Sequence, residues 1–146
     1  MSGSPRLAVR AIIMENDRLL LVNAYRGRTD LWCAPRGGVE SHSSLPDNLK
    51  REVFEETGLG ISVGAPCLVN EFHDPSGTFH QVDIYFRCKI TSGEISEAWQ
   101  DPEKVVQHRR WVTRAEMEGL SFKPDSLPQI AWQRGFGYDP LEPILR

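Results

Sequence analysis

The chain has 146 residues, room for one domain around one core, and its 40% hydrophobic and 25% charged content excludes a disordered polymer. A net charge of −3 at pH 7 gives no global attraction to nucleic acid or an anionic membrane, so any phosphate must be met by local basic residues or a metal. No apolar run approaches the roughly 20 residues that span a bilayer, and MSGSPRLAVR at the N-terminus has no apolar signal region, so a cytoplasmic protein without membrane or nucleic-acid partners is expected.

Residues 6–14, RLAVRAIIM, are aliphatic and β-branched and predict a strand. The turn ENDR (15–18) joins it to a second strand over 19–25, which makes a hairpin. RGRTD (26–30) is a polar loop with two arginines. LWCAPRGGVE (31–40) reads as a short extended segment entering a glycine-rich loop. A helix follows, capped by Ser44 with Asp47 three residues on, Pro46 in its first turn, and Leu45, Leu49, Val53 and Phe54 as its apolar stripe. Gly58 is its expected left-handed terminator.

Strands are predicted around 61–72 and 78–90, joined by the turn DPSG (74–77). Residues 92–104 form an acidic loop, 108–112 a short strand, 113–120 a small helix with a Thr-x-x-Glu capping pattern, and 126–136 a final helix. The tail after Gly137 reads as irregular. The whole is an α/β arrangement, a mixed sheet between helices, in a single domain over 1–146. Cys33, Cys67 and Cys88 are widely spaced, form no C-x-x-C pair, and are expected to be reduced core thiols.

REVFEETGLG (51–60) raises the functional question. At helical spacing Glu52, Glu55 and Glu56 share one face, and like charges so placed repel by roughly 0.2–0.5 kcal/mol per pair. The helix dipole also disfavours carboxylates in the last turn. Either this is a solvated acidic face with Arg51 as counter-ion, or a hard divalent cation reverses the sign, because carboxylates are its preferred ligands. Just upstream, Gly37 and Gly38 allow close backbone approach to a ligand, and the planar fork of Arg36 suits phosphate oxygens. A phosphate cradle leading into a carboxylate helix is a combination that a solvated face does not explain.

These residues resemble the Nudix (MutT-like) hydrolase signature: Gly, five residues, Glu, seven residues, then Arg-Glu-apolar-x-Glu-Glu-x-Gly-apolar. Gly37, Arg51, Glu52, Val53, Glu55, Glu56, Gly58 and Leu59 match in register, and LWCAPRGGVE resembles the lead-in before that box. The departure is Ser43, where the pattern has Glu, usually after a Gly; here the pair is His42-Ser43. Serine offers no carboxylate, which bears on efficiency more than on reaction class; Glu40 and His42 are the neighbours placed to compensate.

The resemblance implies a Nudix-type α/β/α sandwich with a central mixed sheet and hydrolysis of a diphosphate linkage in a nucleoside diphosphate derivative. It implies Mg²⁺ or Mn²⁺, with Glu52, Glu55 and Glu56 as metal ligands and a backbone carbonyl at Arg36–Gly37 completing the shell. Glu55 is the candidate base and Arg51 orients the carboxylates by ion pairing. Glu97 and Glu103 are candidates for a further carboxylate from a later loop. Arg36 and Gly38, with Arg26 and Arg28, are the substrate-binding candidates, although a solvated loop accounts equally for the last two.

The partner is then a small-molecule nucleotide, a sugar nucleotide, an ADP-ribose-like compound or a nucleoside triphosphate, and the family allows a homodimer. Phe72 and Phe79 are candidate nucleobase contacts, Trp32 and Trp111 core residues, and His73 and His80 surface or hydrogen-bonded residues. Pro75 lies where ADP-ribose-type enzymes often carry proline, but a turn favours proline for its own reasons. Two other readings stand beside this one: a weakened Nudix domain that binds nucleotides as a sensor, motivated by Ser43, and a structural domain with a fortuitous acidic helix.

Overall fold

The structure, a computed structural model, describes residues 4–144. Its elements run β1 (Arg6–Glu15), β2 (Arg18–Asn23), β3 (Trp32–Cys33), β4 (Arg36–Gly38), α1 (Leu45–Thr57), β5 (Gly60–His73), β6 (His80–Ser92), β7 (Arg109–Val112), α2 (Arg114–Met117), α3 (Leu127–Trp132) and β8 (Gly137–Pro143). The β1–β2 hairpin closes through Asn16 and Asp17, both at positive φ (52° and 63°), the turn geometry that follows the strand twist.

The sheet is mixed, in the order β3-β2-β1-β6-β5-β8, with β4 added on β1 and β7 on β2. β1 is its axis. Its length runs parallel to β6, its first half pairs antiparallel with β4, and its far end pairs antiparallel with β2. Because β1 is covered on both faces, its apolar residues need not alternate with polar ones. Ala11 and Ile13 point toward α1 and meet Leu49 and Val53, whereas Ile12 points to the other face and meets Met117, Leu127 and Ile130. Leu20 and its neighbours Leu19 and Leu21 divide between the faces in the same way. Helices on both sides of one sheet make the α/β/α sandwich.

Helix α1 starts and stops where its sequence directs. The Ser44 side chain accepts the Asp47 N–H, a proline occupies the first turn, and Gly58 ends the helix at φ 79° with its N–H on the Phe54 carbonyl. Thr113 and Glu116 form a full capping box at α2.

Three expectations need correction. The glycine segment is a strand rather than a loop: Arg36 and Gly37 pair with Arg10 and Val9. The last helix stops at Trp132, short of residue 136. The tail is strand β8, parallel to β5, instead of irregular. Pro140 and Pro143 hide that strand, since proline argues against a central strand but is tolerated at the sheet edge that β8 occupies. Among the described residues no helix is long and apolar enough to cross a membrane.

Candidate active site

The glycine strand is seated on the carboxylate helix. A Cβ on Gly37 would fall 1.9 Å from Glu52 Cγ, so only a bare Cα lets β4 lie against that side chain. The Arg36 backbone N–H donates to Glu56 Oε1 at 3.0 Å. Asn48, fully buried, closes the seat from the helix side: its amide donates to Gly38 O at 2.8 Å and its carbonyl accepts the Glu40 N–H at 3.1 Å. Strand β4 and helix α1 are thus fixed to each other by main-chain and side-chain contacts that span only 8–20 positions in sequence.

The glutamates differ in burial. Glu52 and Glu56 are buried at 9% and 7% exposure, while Glu55 is more open. Burial pushes the Glu56 carboxyl up to about 8, opposed by the Arg36 guanidinium and amide. Burial likewise pushes Glu52 up to about 7, against the pull of Arg51 and with the help of Glu55 and Glu103. Arg51 serves as the hub of the exposed side: it stands 3.1 Å from Glu52, 3.4 Å from Glu55 and 3.3 Å from Glu40. Glu40 is therefore drawn to the carboxylate group. His42 sits at φ 69°, a conformation that suits glycine, and Ser43 donates its N–H to Glu40 O and its hydroxyl to Ser44 O.

Glu52, Glu56, Gly37 and Gly38 open onto a cavity of about 720 Å³. Glu103 joins the same lining, whereas Glu97, Glu55 and Arg51 do not. Arg36 lines the cavity too, but its guanidinium is engaged with Ala24 O (2.6 Å) and Cys33 Sγ (2.8 Å). Arg26 and Arg28 stand outside the lining, the first on Glu103 O and the second paired with Asp30 and stacked over Tyr25. Across the sheet the cavity is walled by Phe72 and Phe79, with ring centroids 5.8 Å apart, and by Pro143 and Ile144 at the end of β8. Arg6 lies over the Phe79 ring at 6.0 Å. Trp32 is buried in the core, and His73, His80 and Pro75 do not line the cavity.

Several residues of this site escaped the sequence reading. Arg10 is buried at 7% in the middle of β1, ion-paired to the fully buried Asp83 at 2.7 Å, and Gln81 donates to the other Asp83 oxygen at 2.7 Å. All three line the cavity floor. A signal was available: a lone arginine inside LAVRAIIM must find a carboxylate, and Gln81, Asp83 and Tyr85 recur at every second position of one strand. Asn48, Asp101 and Trp99 carried no comparable signal.

Among the described residues no three His, Cys, Asp or Glu side chains already converge as a closed metal site. The donor set nonetheless fits a hard divalent cation. It consists of oxygens alone, and two of the carboxylates are held near neutrality by burial, a state that a cation would reverse.

A family model described as the NUDIX domain matches residues 4–133. Diphosphoinositol polyphosphate phosphohydrolase 3-beta of Bos taurus is 33% identical over 95 residues, 65% of this chain and 54% of that protein, so the chain spans about half the length of the curated relatives it matches. A UDP-X diphosphatase superposes with a TM-score of 0.74 at 23% identity over 94% of this chain and 68% of its own. A NUDIX hydrolase from Nitrosomonas europaea gives 0.71 at 20% identity over 87% and 86%. At these identities the solved structures speak to the fold. With the family model covering most of the chain and the glycine strand seated on the glutamate helix, the chain belongs to the Nudix family.

Proposed function

We propose that this chain hydrolyses a diphosphate linkage in a nucleoside diphosphate derivative with the help of Mg²⁺ or Mn²⁺. The observation that carries the proposal is the seat of Gly37 on Glu52 and of the Arg36 amide on Glu56, at the mouth of a cavity large enough for a nucleotide. Nudix hydrolases in general use divalent cations, and Glu52, Glu55, Glu56 and the Gly37 carbonyl are the residues that would hold one here. When bound, such a cation offsets charge on the diphosphate oxygens and makes a water more acidic.

The residues of the chain supply the rest. Glu55, the most open of the three helix glutamates, accepts the proton of the attacking water. Arg51 pairs with both Glu52 and Glu55 and holds them facing the same way. Gly38 leaves room for the phosphates to approach the backbone. Arg36 acts mainly by holding β4 against Ala24 and Cys33, so its bond to phosphate is secondary to its part in shaping the cradle. Arg26 contributes long-range positive charge near the cavity, whereas the charge of Arg28 is offset by Asp30.

The relatives are named for a diphosphoinositol polyphosphate and for UDP-X. The cavity favours the nucleotide. Apart from Arg36, its basic lining is Arg6, Arg10 and Lys123, of which Arg10 is neutralised by Asp83. A ring bearing many phosphates would need more free cations than these. The paired Phe72 and Phe79 instead offer a face for one planar base.

The test is a hydrolysis panel with Mg²⁺ or Mn²⁺: UDP-glucose, ADP-ribose, a nucleoside triphosphate and a diphosphoinositol polyphosphate, read by separation of the products. Cleavage of one of the nucleotides ahead of the inositol compound is expected. No cleavage of any member would sink the proposal, and tight nucleotide binding without turnover would select the sensor reading that Ser43 motivates.

A further inference from the structure

The last turn of a helix leaves backbone carbonyls without intrahelical partners. In α1 two of these belong to the glutamates themselves, and both are taken by side chains that follow β6, one from the connection to β7 and one from the first residue of β7. Glu55 O accepts the Trp99 indole N–H at 2.8 Å, and Glu56 O accepts the Arg109 Nε–H at 2.5 Å. The Trp99 ring also lies against the bare Cα of Gly58, where an added Cβ would come within 2.8 Å of it. It meets Phe54 edge-on at 5.2 Å.

The chain between the two anchors is itself tied down. The buried Asp101 carboxylate accepts the N–H groups of Glu103, Val105 and Val106 at 3.0, 3.2 and 2.9 Å. Asn23 holds Val105 O and the N–H groups of Gln107 and His108. Residues 99–109 therefore form a strap fastened to the backbone of the residues whose side chains make the carboxylate site. Glu103 stands in mid-strap, with its side chain on the cavity that Glu52 and Glu56 line.

We infer that Trp99 is a positioning residue: by anchoring the strap to the end of α1 it sets Glu103 against the helix glutamates, so that Glu103 adds its carboxylate to the same divalent cation. The inference rests on the metal-dependent reading above. Trp99 is only half-buried and outside the two main core clusters, so its loss spares the folding core. A simple prop would alter stability alone, whereas a positioning residue alters what Glu103 contributes.

The experiment is a double-mutant cycle of Trp99→Ala and Glu103→Gln, with Trp99→Phe as the variant that keeps a ring and loses the N–H donor. Two readouts precede any activity: amide hydrogen exchange of residues 100–106 without metal, and Mn²⁺ binding followed by the resonance of the free ion. Trp99→Ala is expected to speed exchange in the strap and weaken Mn²⁺ binding by about 10-fold, the usual scale for a group that orients a ligand. Trp99→Phe falls between it and the wild type, and the double variant is no weaker than Glu103→Gln alone.

Independent, multiplying losses would overturn the inference, as would wild-type exchange and affinity in Trp99→Ala. Undiminished Mn²⁺ binding by Glu103→Gln would overturn it while leaving the metal reading intact. A wild-type protein that binds no Mn²⁺ would overturn both. If Trp99→Ala does not fold, Trp99→Phe closes the same cycle.

Discussion

The two walls of the cavity are built on different principles. The glutamate wall joins β4 to α1, segments close in sequence, through a glycine with no room for a Cβ beside Glu52, a hydrogen bond from the Arg36 amide to Glu56, and the Asn48 side chain on the Gly38 carbonyl. The aromatic wall gathers the end of β5, the start of β6 and the end of β8, and its two rings pack on each other with Arg6 over Phe79. The first wall tolerates almost no change in side-chain volume or charge. The second has latitude. The contrast separates chemistry from selectivity in the proposed reading: the wall that would meet a cation is rigid and locally encoded, and the wall that would meet the rest of the substrate is assembled at the ends of strands.

The largest effect is expected from Glu56→Gln. The amide is close in shape and keeps an oxygen for the Arg36 N–H, but removes a charge from the proposed cation site. Activity should fall on the order of 10²–10³-fold, about 3–4 kcal/mol of barrier, in a steady-state assay at saturating Mn²⁺. The metal-free protein should meanwhile be at least as stable as the wild type in a thermal melt at pH 8.

The pH dependence of stability sharpens the same wall. Burial raises the folded-state value of Glu56 from 4.5 to about 8, so the folded protein holds its proton more tightly than the unfolded chain does. That contribution is complete below about 4.5 and is lost as pH rises through about 8. Glu52 adds to it over the window from 4.5 to about 7. The melting temperature of the metal-free protein should fall across this interval through these two groups, and the fall should be smaller in Glu56→Gln. Saturating Mn²⁺ should stabilise the wild type more at pH 8 than at pH 6; equal stabilisation at both would break the assignment of these glutamates as ligands.

Gly37→Ala should cost about 1–3 kcal/mol in a denaturant titration, because the new Cβ must displace either Glu52 or β4. The aromatic wall should respond differently. Phe79→Ala should raise KM by roughly 10-fold with kcat nearly unchanged, in line with the worth of about 1–3 kcal/mol for one stacked base. If kcat fell instead, the two walls would not be separable in the way their construction suggests. Smallest of all, His42→Gly should stabilise the protein by about 0.5–1 kcal/mol by relieving a left-handed residue, measured by chemical denaturation.

Much of the glutamate wall was legible beforehand because its information is short-range. Ser44, Pro46 and Gly58 mark the helix ends through local hydrogen bonds and backbone conformation, and the spacing of Glu52, Glu55 and Glu56 puts them on one face whatever surrounds them. The β1–β2 hairpin was legible for the same reason. The aromatic wall was only partly so. Phe72 and Phe79 could be placed beside a turn, but their approach to β8 depends on a pairing 65 and more positions away, and the prolines of β8 concealed that it was a strand at all. Arg10 and Asp83 left a trace in their strand patterns, although which carboxylate Arg10 meets depends on the parallel register of β1 on β6.

The carboxylate helix, its caps, the glycines before it and the family these imply could all be read from the order of residues, since each follows from contacts within about twenty positions. That Glu103 rather than Glu97 reaches the cavity, that Arg36 braces the cradle, and that Trp99 and Arg109 fasten a distant strap to the helix carbonyls emerges from the folded chain alone. The physical reason is that a side chain's partner across 40 to 80 positions depends on strand order and register, which the global packing of both sheet faces sets and no local propensity encodes.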